Sequence, residues 1–259
     1  MLLAVSLLSA LVVGLIGYSS GRESLRKAAF DQLTTVRELR VSALEDTMAN
    51  VSKGVVLDSR NLSAQTASRL LNEGFENLQS RSLTTAQEAE LQKYYAETFV
   101  PQLVTATGQS YGPAAFMPTS NAGRWLQYHY TAQFTDFDKA LDVDDANDGG
   151  TPFSKAAQQY GDYLSRLVKQ VGYEDVLFLN LKGDVVYSAY KGVDLGANVT
   201  TGPYRDTMLA TAYRDVLATN SVSAVRTTDF ERYIPSLNVP TMWVLSPIGN
   251  DRGVVGVMA

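Results

Sequence analysis

The sequence predicts an α+β fold with an apolar N-terminal helix, a long helical stalk or hairpin, and a five-stranded antiparallel sheet with helices on one face. Three features predict this fold. The 259-residue chain opens on an uncharged apolar run, residues 24–78 contain no proline, and short runs rich in Val, Leu, Phe and Tyr follow residue 172. Long proline-free stretches with helical spacing favour helix, whereas short apolar runs bounded by turn residues favour strands. We therefore divide the chain into residues 1–19, 20–107 and 108–259.

The composition bounds the functions that the chain can have. Its net charge of -5 argues against a nucleic-acid partner, because phosphate binding needs a basic surface. The sequence contains no cysteine, which removes disulfides, thiol catalysis and cysteine-ligated metals. His129 is the one histidine, so a mechanism with a histidine base or two histidine ligands is disfavoured. We predict no metal, no cofactor and no nucleic-acid partner, and we expect no enzymatic activity.

The first segment, residues 1–19, is predicted to be a transmembrane helix. Met1 to Tyr18 carry no charge, and a helix of that length at ~1.5 Å per residue nearly crosses a hydrocarbon core of ~30 Å. A cleaved signal peptide is the alternative interpretation. The basic segment and the small-residue cleavage site that are typical of signal peptides are missing, which favours an anchor.

The second segment, residues 20–107, is predicted to be a helical stalk. An apolar heptad seam recurs at spacings of three and four, at Val41, Leu44, Met48, Val51 and Val55. The seam is explained equally well by packing on its own domain and by a homodimer interface. Further along, Thr84 and Thr85 precede Gln87 and Glu88 by three residues, which is a capping-box pattern for another helix. That helix is expected to end by Pro101.

Two segments match a catalytic or a metal-binding motif in part, but their neighbouring residues do not fit the motif. Gly108 to Gly112 read Gly-x-Ser-x-Gly, but prolines interrupt the next turns and no histidine follows His129, so a hydrolase elbow is not predicted. Asp142 to Gly150 form an acidic loop. Aligned as an EF-hand, the loop puts Ala146 at a ligand position and Lys155 where the bidentate Glu belongs, so a solvated loop is predicted.

The third segment, residues 108–259, carries the sheet. A helix over Ser154–Val171 leads to a hairpin between Gly172 and Tyr190, in which Gly183 supplies the positive φ of the turn. A helix is predicted from Pro203 to Leu217. The remaining predicted strands are Ser223–Asp229, Thr241–Ser246 and Gly253–Met258. One hairpin, one crossing helix and three strands make up an antiparallel sheet with helices on one face.

The hairpin, the Asp194-Leu195-Gly196 that follows it and the later Gly202-Pro203-Tyr204-Arg205 resemble the Cache-type, PAS-like sensor domains of bacterial transmembrane receptors. The resemblance covers roughly residues 111–259, and the apolar start and long helix match the layout of the family. Such domains head methyl-accepting chemotaxis receptors, sensor kinases and adenylate or guanylate cyclases. The resemblance implies a receptor fragment whose second membrane helix and cytoplasmic output module belong to further sequence.

In Cache domains the ligand sits between the sheet and the helices and loops that cover one face. Carried over by position, this implies a ligand site built from six residues: Tyr187, Tyr204, Arg205, Asp229, Tyr233 and Trp243. Arg205 would hold a carboxylate and Asp229 would accept from an amine, which suits a small zwitterion or organic acid. The amino-acid-binding pattern of the family is not met, because Arg124-Trp125 and Tyr128 have a different spacing.

The predicted function is that of an extracytoplasmic ligand sensor, anchored in the cell membrane by a single helix and dimeric through its stalk. The positive-inside rule alone would put the flank with Arg22, Arg26 and Lys27 in the cytoplasm. The resemblance implies instead that the bulk of the chain is extracytoplasmic. The alternative function is a structural or partner-docking domain that binds no small ligand. An open pocket with converging polar groups would favour sensing, and a cap filled by Tyr187 and Trp243 would favour docking.

Overall fold

The computed structural model describes residues 2–134, 137–143 and 145–259. Met1, at the start of the predicted span, and Asp144, in the predicted acidic loop, lie outside the described residues. The chain forms two compact units, one up to Val51 and one over Ser52–Ala259. The first unit consists of helix, as part of α1 (Leu2–Ser59). The large apolar side chains along the first part of α1, among them Leu8, Leu11 and Ile16, are exposed.

The length and apolar composition of this part of α1 are sufficient to cross a membrane. Its exposed apolar side chains would be covered by lipid in such a span. The predicted apolar N-terminal helix is therefore present.

We expect the chain to remain in the membrane pellet after alkaline carbonate extraction, at its full mass. The double substitution Leu11→Arg and Val12→Arg should release it, because each arginine at the centre of a span costs about 2.5–3.5 kcal/mol. The matched control, Ser24→Arg with Glu23→Arg, adds arginines at the flank and should leave extraction unchanged. Recovery of the unsubstituted chain in the soluble fraction, or as a shortened product, would contradict a membrane anchor.

The second unit begins with a helical layer. Its helices are α2 (Leu62–Leu78), α3 (Thr85–Tyr94), a π-helix (Tyr95–Phe99) and α4 (Val100–Thr107). The predicted capping box is confirmed, since the Thr84 hydroxyl accepts from the Gln87 N–H while the Gln87 side chain accepts from the Thr84 N–H. Asn61 separates α1 from α2, because its side chain accepts from the N–H of Ser63 and starts a new helix.

The prediction that this helix ends by Pro101 is wrong. A π-helical turn directly precedes Val100, and the chain continues as helix through Pro101 to Thr107. A proline breaks a regular α-helix because it has no N–H and its ring collides with the carbonyl four residues earlier. A π turn changes the spacing of the carbonyls and so accommodates the ring. The helix ends instead at Gly108, whose φ of 69° is left-handed.

Short elements lead to the sheet. They are a 3₁₀ turn (Pro113–Ala115), α5 (Asn121–Leu126), a π-helix (Gln127–Thr131), α6 (Phe137–Leu141) and α7 (Pro152–Val171). The Arg124–Tyr130 segment is therefore helical. The long amphipathic α7 packs along α2, and its N-cap Thr151 accepts from the N–H of Ser154.

The sheet strands are β1 (Leu177–Leu179), β2 (Val185–Ser188), β3 (Arg226–Thr227), β6 (Val244–Asn250) and β7 (Gly253–Met258). They form a five-stranded sheet in the order β2-β1-β7-β6-β3, and every pairing in it is antiparallel. The predicted hairpin is present, with Gly183 at φ 88° in its turn. Two additional strands, β4 (Glu231–Tyr233) and β5 (Val239–Thr241), form a separate two-stranded ribbon. Helix α8 (Met208–Ala218) lies between the hairpin and β3 in the chain.

The sheet is covered by helices on both faces, so the prediction of helices on one face is wrong. Leu177, Leu245 and Val257 point to one face, where they pack in a core with α8. On the other face α2 lies against the strands, and a Cβ on Gly256 would come within 2.7 Å of the Ser68 hydroxyl. Small residues at this contact allow the close approach of α2, a feature that alternation along the strands does not reveal.

Two predicted boundaries also differ from the structure. Residues 52–107 lie in the same compact unit as the sheet, whereas the prediction divides the chain at residue 108. The reason is packing, since α2 lies on the sheet. The helix predicted from Pro203 starts only at Met208, because Thr207 is its N-cap and residues 201–206 form turns.

Candidate functional site

Three of the six predicted site residues lie together. The rings of Tyr204 and Tyr233 are 6.2 Å apart, and those of Tyr233 and Trp243 meet edge to face at 5.1 Å. All three side chains are buried. Tyr233 and Trp243 fill the core beneath α8, and no open volume separates them. The indole N–H of Trp243 is buried without a hydrogen-bond partner among the described residues.

The other three predicted residues lie elsewhere. Tyr187 is buried on β2, where its ring contacts that of Phe178 and the ammonium of Lys191 lies 5.3 Å from its centroid. The Arg205 side chain is 58% exposed and pairs with Asp206 at 3.5 Å. Asp229 is exposed, and its carboxylate accepts from the N–H of Phe230 at 2.7 Å.

A buried ionic network lies behind the loop that follows β2. Asp175, two residues before β1, accepts from the N–H groups of Val176, Ala189 and Tyr190 and from the Ser188 hydroxyl, at 2.7–3.2 Å. Its carboxyl is enclosed although part of the residue reaches the surface. Burial raises the pKa of Asp175 to about 7, the neighbouring Asp194 carboxylate contributes to the rise, and the donated hydrogen bonds oppose it.

Asp194 is the second buried carboxyl of the network. It is 3% exposed and accepts from the Tyr233 hydroxyl at 2.9 Å. Burial raises its pKa to about 6, against the lowering effect of the Tyr233 hydrogen bond. Burial also raises the pKa of Tyr233 well above its ordinary value, so the phenol remains the donor in this pair.

The loop between the two carboxyls carries a buried lysine. Lys191 is 4% exposed, has a φ of 51°, and donates from its ammonium to the Ala189 carbonyl at 2.8 Å. A non-glycine residue in the left-handed region is held there by its surroundings. Gln127 fastens the same loop, since its amide donates to the carbonyls of Val193 and Leu195 at 2.7 and 2.9 Å. The Tyr95 hydroxyl donates to the Gln127 carbonyl oxygen.

A cleft opens above this loop. The cleft is narrow, with a cavity volume of about 30 Å³, and three walls and a floor line it. The floor is Tyr190–Val193, and the walls are residues of the π-helix and α4, the end of the second π-helix, and the turn between β4 and β5. The lining residues are Tyr94, Thr98, Phe99, Gln102, Thr131, Phe134, Tyr190, Lys191, Gly192, Val193, Pro235 and Leu237.

None of the six predicted site residues lines this cleft, but the cleft adjoins two of them. The hydroxyl of Tyr204 donates to the Val193 carbonyl at 3.4 Å, and Tyr233 directly precedes the 3₁₀ turn (Ile234–Ser236) that forms one wall. The sequence analysis missed Asp175, Lys191 and Gln127 as site residues, and Asp194 entered it only as part of the Cache resemblance. A charged residue next to an uninterrupted apolar strand was the available signal for Asp175.

In the predicted acidic loop, Asp142 pairs with Lys169 of α7, and the Asp145 carboxylate accepts from the N–H of Asn147. Asp148 accepts from the N–H and the hydroxyl of Thr151 at 3.2 and 2.5 Å, just before α7. Within residues 2–134, 137–143 and 145–259, no group of three or more His, Cys, Asp or Glu side chains is arranged to hold a metal ion.

The cleft therefore brings aromatic rings and a polar loop together, and the buried carboxyls of Asp175 and Asp194 lie behind that loop. Comparison with models of protein families, with curated proteins and with solved structures found no match, so the function proposed below rests on the chain's own residues and geometry.

Proposed function

We propose that residues 52–259 are a PAS-like, Cache-type sensor domain that binds a small molecule, held at the membrane by the apolar part of α1. The observation that carries the proposal is the cleft above Tyr190–Val193, whose floor loop is fastened by the buried carboxyls of Asp175 and Asp194. Buried ionisable groups with strongly shifted pKa values are costly and concentrate at functional sites.

The sheet supports the PAS-like part of the proposal. A hairpin, a crossing helix and three further strands occur in that order along the chain, and the last strand lies between β1 and β6. This arrangement is compatible with the PAS-like sheet that the resemblance implies. The cleft lies beside the loop after the hairpin and includes the wall that follows Tyr233. The ligand site of the proposal is therefore the cleft, next to Tyr204 and Tyr233 of the six residues predicted from the sequence.

In a receptor of this kind, the bulk of the chain lies outside the cytoplasm and a second copy associates through α1. Val41 and Leu44 of the predicted seam are exposed, which supports such an association. Ligand binding would favour one of two packings of the paired helices, by its differential affinity for them. The output would come from a cytoplasmic cyclase, chemotaxis or kinase module.

A second candidate function is a docking domain without a small ligand. The observation that favours it is the solid packing of Tyr233 and Trp243, which leaves the predicted ligand position filled. In this alternative the cleft is a surface feature and the ribbon side of the domain meets a partner protein.

A thermal-shift screen of the detergent-solubilised chain separates the two functions. Small carboxylates, amino acids, amines and nucleobases are the probes. A compound at ~100 times its dissociation constant adds about 2.7 kcal/mol of stability. For a domain of this size we expect a Tm rise of roughly 5–10 °C.

Two variants locate the site of a compound that shifts Tm. Gln102→Ala removes an exposed amide from the cleft wall, and Arg205→Ala removes the guanidinium near the start of α8. Loss of the shift in Gln102→Ala alone is expected if the cleft binds the compound. Loss in Arg205→Ala alone would favour the position predicted from the sequence. A folded chain that no compound shifts would favour docking.

A further inference from the structure

The β4–β5 ribbon is built as a separate piece of the domain. Its two strands pair with each other and not with the five-stranded sheet. Its tip is a 3₁₀ turn followed by Leu237 and Asn238, both of which have positive φ. Pro235 and Leu237 of this tip form one wall of the cleft. A movement of the ribbon would therefore change the width of the cleft.

An ionic contact, the outer fastening, joins the half-exposed start of the ribbon to α8. The Glu231 carboxylate accepts from the N–H of Met208 at 2.8 and 2.9 Å, and from the N–H of Leu209 at 3.3 Å. These N–H groups belong to the first turn of α8, where a negative charge is favourable. The contact lies at a half-exposed position, so water can replace either partner when it breaks.

A second contact, the inner fastening, joins Tyr233 of the ribbon to the loop at the cleft floor. The Tyr233 hydroxyl donates to the buried Asp194 carboxylate at 2.9 Å, and Asp194 belongs to the loop that closes the cleft floor. At its base the ribbon joins the sheet through Thr228, whose N–H donates to the Trp243 carbonyl and whose hydroxyl accepts from the Trp243 N–H, both at 2.9 Å. Thr228, before β4, and Trp243, after β5, are thus hydrogen-bonded to each other at the base of the ribbon. The tip of the ribbon lies at the cleft.

We propose that the β4–β5 ribbon is a lid on the cleft. It pivots at Thr228 and Trp243 and is held closed by Glu231 on α8 and by Tyr233 on Asp194. Opening breaks a few side-chain hydrogen bonds and withdraws the buried Tyr233 ring from those of Tyr204 and Trp243. It widens the cleft and uncovers the unpartnered indole N–H of Trp243, while the five-stranded sheet stays paired. The role of the lid rests on the proposed function of the cleft as the ligand site. That the ribbon opens as a separate unit does not depend on the proposed function.

Amide hydrogen exchange of the detergent-solubilised chain, followed by mass spectrometry without any added compound, tests the lid. Glu231→Ala removes the outer fastening, and we expect exchange in residues 230–241 and at the start of α8 to accelerate by about tenfold. Amides of β1 and β7 should keep their rates. Tyr233→Phe removes only the inner hydroxyl and should accelerate the ribbon in the same localised way.

The matched control is Arg232→Ala, an exposed neighbour on the same strand, which should leave ribbon exchange close to that of the parent chain. The lid is overturned if neither fastening variant exchanges faster than this control. It is also overturned if the ribbon and β1 accelerate together, because the ribbon would then open only with global unfolding. Since no ligand is present, a negative result leaves the thermal-shift screen to decide the function of the cleft.

Discussion

Gly74→Ala is expected to lower the free energy of unfolding by about 2 kcal/mol or more. This value combines the cost of a steric clash with the smaller gain in helix propensity. Gly74 lies on α2 at its contact with α7. A Cβ at this position would lie 2.5 Å from the Phe153 Cα and 2.7 Å from the Phe153 nitrogen. These are backbone atoms, so no side-chain rotation relieves the clash and α7 has to move as a whole.

The gain comes from the preference of helices for alanine, which is worth about 1 kcal/mol over glycine. Gly54→Ala is the matched control because it offers the same gain on another helix, and its Cβ meets only the hydroxyl end of the Tyr173 side chain at 3.3 Å. Urea unfolding should therefore show Gly54→Ala near the parent chain and Gly74→Ala well below it. Equal unfolding midpoints for the two variants would contradict the close α2–α7 contact.

The unfolding free energy is expected to fall as the pH rises from about 4 to about 7, because of Asp175 and Asp194. Burial raises the pKa of these carboxyls to about 7 and about 6 from the ordinary 3.8. Within this window the folded chain binds protons that the unfolded chain releases. Stability then declines with pH, by about 1.4 kcal/mol per pH unit for each such proton. Below the window both states are protonated and above it both are ionised, so the two contributions level off.

Asp175→Asn should flatten this decline by about one proton while the fold persists. The amide oxygen can still accept from the three backbone N–H groups, and the amide N–H₂ can donate to the Ser188 hydroxyl. Ser188→Ala is the control, since it removes a donor and leaves the titrating carboxyl. Urea titrations between pH 4 and 8 measure the slope. Identical slopes in Asp175→Asn and the parent chain would show that Asp175 does not titrate in this window.

Local sequence signals predicted the elements well where the deciding contacts are local. The Thr84 capping box, the Gly183 turn and the strand Gly253–Met258 depend on neighbours within a few residues, and each is present in the structure. The strand predicted over Ser223–Asp229 is reduced to Arg226–Thr227, and the strand predicted over Thr241–Ser246 runs from Val244 to Asn250. Pro101 is an exception with a local cause, because the π turn that accommodates it has no clear sequence signature.

The candidate site was predictable only in part. Tyr204, Tyr233 and Trp243 lie together, whereas Tyr187, Arg205 and Asp229 lie elsewhere. The cleft, however, is formed by four segments, around Thr98, Thr131, Lys191 and Leu237, that are distant in the sequence. Nothing in the spacing of these residues indicates that they meet.

By itself the sequence determined the α+β class, the apolar helix at the start of the chain and the antiparallel sheet, because these follow from periodicity and turn chemistry. Only the tertiary structure decided that α2 covers the second face of the sheet and that Asp175 and Asp194 are enclosed behind one loop. Both outcomes depend on how closely distant segments can approach. That approach is set by small residues such as Gly256 and Gly74 and by hydrogen bonds across the chain, which local patterns do not encode.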